Sequence, residues 1–392
     1  MDIFTEMQLL KGDKILTLNQ CNVLRGLAII GIFLHNFSHW LHGAHHENEY
    51  VFYQQHGDAM WKYWTKGFAD GFEPIQFFSF FGHYGVPVFL FLSGFGLVMK
   101  YERAGASKLG TLPFLAYQWL KLFRLMILGF IATTLVYNVW CGFDPHPWNE
   151  TLTQLLLVVN PLFISPGSAI QPGPYWFFGL MLEIYVIYIL LFYPTSHNQK
   201  STWRWLMPVL VALLAWGAMA LCKDHVRRLD YLRYNAAIAA LPFAAGVLVA
   251  RYGLPKLPKW LLATIAVAAL PLIAISNLNF HAWLWTPLLV IAGAVAFVKF
   301  FDKSSSAASG IVMHPLAWTG VMSAFIFVVH SVPRMPMFKF VLWRQGTLMY
   351  SDYAWIAAYI VLTLTLAWLY KQLLAVIPNP RLHSDGHISF KR

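Results

Sequence analysis

The stretch LRGLAIIGIFLHNFSHWLHG, residues 24–43, is apolar enough to lie inside a lipid bilayer, yet it contains Arg25, His35, His39 and His42. A membrane-spanning helix needs about 20 predominantly apolar residues, and this stretch supplies them. Ionisable side chains in hydrocarbon cost several kcal/mol, so they are functional hypotheses by default. The stretch therefore predicts both a membrane helix and a functional site within it.

The composition of the whole chain also indicates a membrane protein. Of its 392 residues, 58% are hydrophobic and only 11% are charged, whereas soluble domains carry about 25% charged residues. The net charge of +11 comes mostly from residues between apolar runs, where basic residues set topology. No nucleic-acid-binding motif accompanies that charge. The three cysteines are too widely spaced to indicate a metal site or a disulfide framework.

Apolar runs of spanning length recur along the chain, and they predict an all-α polytopic membrane protein of about ten transmembrane helices. The runs lie near residues 24–42, 82–99, 114–139, 174–194, 204–222, 235–251, 259–277, 281–299, 315–333 and 353–377. The run at 151–164 is shorter, so a re-entrant or interfacial segment is expected there. No internal repeat divides the chain, which predicts a single domain over residues 1–392.

The distribution of Lys and Arg predicts the orientation of the helices. The connection at 100–124 has five basic residues and one acidic residue, whereas the connection at 43–81 has two basic and five acidic residues. The first connection is therefore expected in the cytoplasm and the second outside, which places both termini in the cytoplasm. The connection at 223–234 is the exception, because it is expected outside but has four basic residues.

Two ionisable residues are expected to meet in the middle of the membrane. His35 lies ten residues after Arg25, which is roughly 15 Å deeper along a helix, and a buried neutral imidazole can accept a proton. Glu183 lies at the centre of the fourth predicted span and needs a partner or a proton there. Arg25 and His35 are its expected partners. The alternative for His35 and for His39 is a structural hydrogen bond to a neighbouring helix.

Basic residues near the cytoplasmic face suit a phosphate-bearing substrate. Lys121 and Arg124 open the third predicted span, and together with Arg25 they can bind a polyanion. The alternative for Lys121 and Arg124 is snorkelling to the membrane surface. Phosphate-binding cations below a proton acceptor favour group transfer over ion transport.

Two other functions remain open from the sequence. In a proton-coupled secondary transporter, His35, Glu183 and His330 would form a proton relay, although no inverted repeat of the kind that many transporters contain is apparent. The chain would alternatively be an inactive relative of an enzyme that acts as a scaffold.

Six motifs, in this order along the chain, resemble those of the acyltransferase family 3 integral membrane proteins. They are LRGLAIIGIFLH (24–35), GHYGVPVFLFLSGFGL (82–97), the basic pair Lys121 and Arg124, PYWFFGLMLEIYVIY (174–188), LPFAAGVLVA (241–250) and SAFIFVVHSVP (323–333). The matches run from about residue 20 to about residue 335, so they cover nearly the whole chain.

The resemblance implies a ten-helix enzyme that takes an acyl group, often acetyl, from a cytoplasmic acyl-CoA. The acceptor would be a hydroxyl of a surface carbohydrate or of its lipid-linked precursor, and the location would be a bacterial cytoplasmic membrane. By motif, His35 is the catalytic base, Arg25 is its partner or a donor-binding group, and Glu183 is a site carboxylate.

The resemblance also implies how the donor is held. Lys121 and Arg124, with Arg25, would bind acyl-CoA, and Ser93 is a candidate donor to the developing oxyanion. The expected partners are acyl-CoA, the carbohydrate or lipid-linked acceptor and membrane lipids, with no nucleic acid. No metal is expected, because the histidines of the loop after His39 are usually just solvated in such a position.

One feature departs from the family pattern. Nine residues separate Arg25 from His35, whereas the family usually has ten. At about 100° per residue, His35 is therefore displaced by roughly 80° from the usual face, which Asn36 occupies. A π-bulge would restore the register, and an arginine side chain is also long enough to reach around the helix; otherwise His39 is expected to perform the chemistry.

Overall fold

The computed structural model describes residues 15–49, 51–67, 71–102, 108–141, 147–163, 166–302, 307–341 and 347–391. Helices account for almost all of the described secondary structure. Those of the first half are α1 (Leu18–Ser38), α2 (Gln54–Thr65), α3 (Glu73–Phe81), α4 (Gly85–Tyr101), α5 (Thr111–Cys141), α6 (Trp148–Leu155), α7 (Val159–Leu162), α8 (Pro166–Ala169), α9 (Trp176–Ile187) and α10 (Tyr193–Ser196). A 3₁₀ turn at Gly82–Tyr84 joins α3 to α4, another at Gly173–Tyr175 precedes α9, and a π-helical segment at Tyr188–Phe192 follows α9.

The second half of the chain continues in the same way. Its helices are α11 (Trp203–Ala220), α12 (Val226–Arg233), α13 (Ala236–Tyr252), α14 (Lys259–Ser276), α15 (Phe280–Trp283), α16 (Thr286–Asp302), α17 (Ala307–Val329), α18 (Ser331–Val341) and α19 (Ser351–Val376). Two short antiparallel strands, β1 (Asn379–Leu382) and β2 (Ile388–Lys391), form a hairpin after α19, with Asn379 opposite Lys391.

The polytopic all-α prediction is confirmed. Within the described residues, eight helical segments are long and apolar enough to cross a membrane, and α12 with α13 makes a ninth if the bent pair is one span. The predicted span at 281–299 corresponds to α15 and α16, of which α16 has 17 residues. At 151–164 the short helices α6 and α7 replace a span, which agrees with the expectation that this run does not cross the membrane.

The first helix begins and ends earlier in the sequence than predicted. It begins at Leu18 and ends at Ser38, six residues before the predicted start and four before the predicted end. Its start is fixed by a capping box, in which the Thr17 side chain accepts from the Gln20 amide and the Gln20 side chain accepts from the Thr17 amide. Because the helix ends at Ser38, His35 lies in the last turn of α1 rather than at its middle, and His39 and His42 follow the helix.

The chain divides into two compact units, each built from three separate segments. Unit one comprises residues 1–100, 208–223 and 240–323, and unit two comprises residues 101–207, 224–239 and 324–392. The single domain remains a prediction.

A buried apolar cluster fixes α1 inside unit one. Leu24 on α1, Phe91 and Phe95 on α4, and Val298 on α16 all belong to this cluster, and each is at most 2% exposed. Side chains packed to interior density resist displacement. The cluster therefore holds α1 firmly and defines where the histidine at the end of that helix lies.

Candidate active site

His35 is buried and held in one orientation. Its side chain is 2% exposed, and its Nδ1 lies 2.9 Å from the backbone oxygen of Ser79 on α3. A carbonyl oxygen can only accept, so Nδ1 carries the hydrogen and donates it. In the neutral imidazole the lone pair is then on Nε2. The fold therefore selects Nε2 as the basic nitrogen of His35.

Three further ionisable side chains surround His35. The carboxylate of Glu47 lies 4.0 Å from Nε2 of His35. The His39 ring stacks on the His35 ring with 4.5 Å between centroids, and the His83 ring meets it edge-on at 5.4 Å. His39 also donates from Nδ1 to the backbone oxygen of His35, at 2.7 Å. These four residues, His35, His39, Glu47 and His83, are called the histidine cluster below.

The loop that carries Glu47 is tied to α3. Gln76 accepts from the His45 amide at 2.8 Å and donates to the Gly43 oxygen at 3.1 Å. Ser79 donates from its hydroxyl to the His45 oxygen at 2.7 Å. The same two helical turns thus hold both the loop and the His35 ring. These contacts place a carboxylate from the loop beside a histidine from the helix.

The backbone of Glu47 has a further support from α2. His56 donates from Nδ1 to the Glu47 oxygen at 2.8 Å. Burial lowers the pKa of His56, although the hydrogen bond to Glu47 raises it, and nearby His46 lowers it further. His56 therefore favours the neutral form, so it adds no cation beside the carboxylate.

His83 is an unusual buried histidine. It is 2% exposed, and although the backbone of Phe80 and that of Asn48 lie near its ring, neither ring nitrogen makes a well-aligned hydrogen bond to a described residue. Buried polar atoms without partners cost about 1–3 kcal/mol, so functional sites are a common place to find them. In the sequence, His83 lies within the motif GHYGVPVFLFLSGFGL (82–97), and nothing in the motif indicates a role for it.

An apolar cavity of about 440 Å³ lies beside the histidine cluster. Gly31, Gly82, Ala269 and Gly293 are among its lining residues. Gly31 precedes His35 by one helical turn, and a Cβ added at Gly82 would lie 2.7 Å from the Cβ of His35. The small residues allow close packing here, so Gly82 lies between the cavity and His35, which does not itself line the cavity.

Arg25 lies at a distance from His35. Its Nη1 donates to the Asn22 side chain at 2.9 Å, and His35 lies ten positions further along the helix, roughly 15 Å away along the axis. Helix α1 contains no π-helical segment, so the π-bulge that would bring Arg25 and His35 onto one face is absent. The role of Arg25 in donor binding remains a prediction.

Ser93 and Lys121 are placed as follows. The Ser93 hydroxyl donates to the Phe89 oxygen at 2.8 Å, within α4. The ammonium of Lys121 lies over the Tyr117 ring, 5.4 Å from its centroid. Their predicted roles, in oxyanion stabilisation and donor binding, remain predictions.

Arg124 closes the end of a helix in unit two. Its guanidinium donates to the Leu374 oxygen at 2.6 Å and to the Ile377 oxygen at 2.8 and 3.2 Å. These carbonyls belong to the end of α19, where backbone oxygens have no partner within the helix. A cation at a helix C-terminus is also favourable for the helix dipole. Arg124 thus has a structural function whether or not it binds donor phosphates.

Replacement of Arg124 by alanine should lower the free energy of unfolding by about 1–3 kcal/mol, because it leaves the carbonyls at the end of α19 without their donor. Thermal unfolding of the purified protein in detergent measures this. Lys121→Ala is the control, because Lys121 is exposed and should affect stability little. An unchanged melting temperature for Arg124→Ala, with a raised KM for acyl-CoA, would contradict the structural assignment and support the donor-binding one.

Glu183 and His330 both lie in unit two. Glu183 accepts from the Ala236 amide at 2.9 Å through Oε2, which caps the start of α13, and its Oε1 has no hydrogen-bond partner among the described residues. His330 is fully buried and donates from Nδ1 to the Phe327 oxygen at 2.7 Å. The carboxylate beside His35 within unit one is that of Glu47. The role of Glu183 remains a prediction.

Comparison with known proteins gives one match. A family model described as an acyltransferase domain matches residues 18–371. No curated protein and no solved structure matches the chain.

Proposed function

The chain belongs to acyltransferase family 3, and from that membership we propose that it transfers an acyl group from acyl-CoA to a hydroxyl of a carbohydrate or lipid-linked glycan, with His35 as general base. It is an integral membrane acyltransferase. Membership in this family favours group transfer over the proton-coupled transporter.

The observation that carries the proposal is the orientation of His35. Its Nδ1 is used by the Ser79 oxygen, so Nε2 is the nitrogen that accepts a proton. The Glu47 carboxylate, 4.0 Å from Nε2, favours the imidazolium that forms when the proton arrives. A buried base oriented by a backbone carbonyl and accompanied by a carboxylate is an arrangement that suits general base catalysis.

The proposed reaction balances without a metal or a redox partner. Nε2 of His35 takes the proton of the acceptor hydroxyl while the hydroxyl oxygen attacks the thioester carbon. The carbon–sulfur bond then breaks, the electron pair leaves with sulfur, and the imidazolium returns its proton to the thiolate. The products are the acylated acceptor and free CoA.

The separation of Arg25 and His35 suits the shape of the donor. A distance of roughly 15 Å along the helix is one that an extended pantetheine arm can bridge. Arg25 would then bind phosphate while the thioester lies at His35. In this arrangement Arg25 binds the donor and does not contact His35. The two side chains therefore do not have to lie on one face of the helix, and the shortened spacing between them is compatible with the mechanism.

The apolar cavity beside His35 supports a substrate with an apolar portion. Its lining is rich in small and aromatic residues, such as Gly31, Phe81 and Ala269. A longer acyl chain or the lipid tail of an acceptor fits such a surface, because apolar area removed from water contributes about 25 cal/mol per Å².

The test uses the purified protein in detergent with acetyl-, succinyl- and long-chain acyl-CoA. Binding is measured by calorimetry, and release of free thiol is measured with and without a carbohydrate or lipid-linked acceptor. We expect one donor to bind and to release thiol faster when acceptor is present. Absence of binding and of thiol release for every donor and acceptor would overturn the proposal.

Arg25→Gln should raise the KM for acyl-CoA about tenfold, because a charge-assisted hydrogen bond to phosphate is lost. The same variant should leave the KM for the corresponding acyl-pantetheine unchanged, since that thioester has no phosphate. Initial rates with the two donors measure the difference. Equal losses with both donors would show that Arg25 acts elsewhere than on the phosphates.

A further inference from the structure

The histidine cluster has the composition of a transition-metal site. His35, His39 and Glu47 each offer one ligand atom, and the three atoms lie within 4.8 Å of one another. Imidazole nitrogen together with carboxylate oxygen suits Zn²⁺ and its neighbours in the first transition series. Two histidines and one glutamate with a remaining open position are a known form of zinc site.

The orientation of both histidines supports this interpretation. Nδ1 of His35 donates to the Ser79 oxygen, and Nδ1 of His39 donates to the His35 oxygen. In each neutral ring the lone pair is therefore on Nε2. Metal-binding histidines almost always donate their other ring nitrogen to a carbonyl, a carboxylate or water, which fixes the ring and raises its basicity.

The distances require a closure of about 1 Å. Zinc bonds to nitrogen and to oxygen are about 2.0–2.2 Å, so two ligand atoms at the tetrahedral angle on one ion are about 3.4 Å apart. The 4.0 Å between Nε2 of His35 and the Glu47 carboxylate exceeds this distance by roughly 0.6 Å, and a separation of 4.8 Å exceeds it by roughly 1.4 Å. Glu47 lies on a loop and His39 follows the end of α1, so the two side chains that have to approach His35 both lie outside the helix.

His83 is a second, independent indication of a ligand. The His83 and His35 rings meet in a T-shaped arrangement with 5.4 Å between centroids. The backbone of Phe80 and that of Asn48 lie near the His83 ring, but neither ring nitrogen makes a well-aligned hydrogen bond to a described residue. A bound ion, or a water on that ion, would provide a well-aligned partner.

We propose that His35, His39 and Glu47 bind a divalent metal ion of the zinc class, with His83 as a partner of metal-bound water, and that the ion inhibits acyl transfer. Inhibition follows because Nε2 of His35 has one lone pair, and while that lone pair binds a metal ion it cannot accept a proton. The metal site rests on the geometry alone, whereas its inhibitory effect rests on the proposed function. Zinc is an inhibitor that binds at the site, and the proposed reaction does not use it.

Metal binding is tested without any acyl-CoA. Metal-free protein in a non-chelating buffer is titrated with zinc by calorimetry and with cobalt(II) by visible absorption, which reports four-coordinate geometry. Wild type is compared with His39→Ala, with Glu47→Gln and with His42→Ala, a control for the exposed loop histidine nearby. We expect one tight site in wild type and His42→Ala, and an affinity at least about tenfold lower in His39→Ala and Glu47→Gln. Identical isotherms and cobalt spectra for all four proteins would overturn the site.

Two further measurements complete the test. The melting temperature of each metal-free variant shows whether it is folded, and Glu47→Gln is nearly isosteric if His39→Ala is unstable. Zinc should slow thiol release by wild type, and a chelator should restore it. Turnover that requires zinc, or that zinc leaves unchanged, would overturn inhibition. If no acyl-CoA reacts at all, the binding data still decide the metal site.

Discussion

Replacement of His35 by alanine should lower turnover by about 10²- to 10⁴-fold, the range that a general base contributes, while acyl-CoA still binds. The loss is expected in kcat because the base acts on the acceptor hydroxyl and not on the donor phosphates. Thiol release in the presence of acceptor gives kcat, and calorimetry with acyl-CoA gives the affinity. The cavity left at α1 is next to Ser79, so a melting curve is needed to show that the variant is folded.

His42→Ala is the matched control for this experiment, because His42 lies in the exposed loop after α1 and should leave turnover unchanged. His39→Ala tests the other candidate base. If His39→Ala abolishes turnover and His35→Ala reduces it only slightly, the base is His39, and the orientation of His35 by Ser79 has a structural purpose. If neither substitution affects turnover, His35 is not a base and the mechanism proposed here is wrong.

The number and type of the helices could be predicted because both depend on local properties of the sequence. A run of about 20 apolar residues has few alternatives to a membrane helix, since backbone polar groups must be bonded internally in lipid. The start of α1 depends instead on the capping box of Thr17 and Gln20, which lies before the apolar run. Hydropathy detects neither this start nor the end of the helix at Ser38, so the predicted span has His35 near its middle although His35 lies in the last turn of α1.

The carboxylate beside His35 could not be predicted from the spacing of residues. Glu47 reaches the histidine because Gln76 and Ser79, about 30 residues away in sequence, fasten its loop to α3. In the sequence, Glu47 is one acidic residue of a connecting segment, and only its position in a histidine-rich loop close after the helix distinguishes it. In the sequence, Glu183 interrupts an apolar span, which indicates a constrained carboxylate but does not identify its partner. In the structure that carboxylate caps α13.

Glu47→Gln should lower kcat by about 10- to 100-fold and leave the KM for acyl-CoA unchanged. The substitution removes a negative charge 4.0 Å from Nε2 of His35. At that distance and an effective dielectric constant of about 20, the interaction with an imidazolium is about 4 kcal/mol. Glu47 is 15% exposed, and solvent reduces the effect, so a loss of about 1.4–2.8 kcal/mol is expected, which corresponds to the stated range. Glu47→Asp keeps the charge and should recover part of the activity.

Glu183→Gln distinguishes the two carboxylates. Gln keeps an oxygen that can accept from the Ala236 amide, so the variant should fold and, if Glu183 only caps α13, should retain kcat. Glu183→Gln and Glu47→Gln each remove one negative charge at a buried or partly buried position. Comparison of their kcat values therefore shows whether the site carboxylate is Glu47, as the structure indicates, or Glu183, as the sequence predicts. A large loss of kcat in Glu183→Gln with little loss in Glu47→Gln would show that Glu183 is the site carboxylate, and that the proximity of Glu47 to His35 is not used in the reaction.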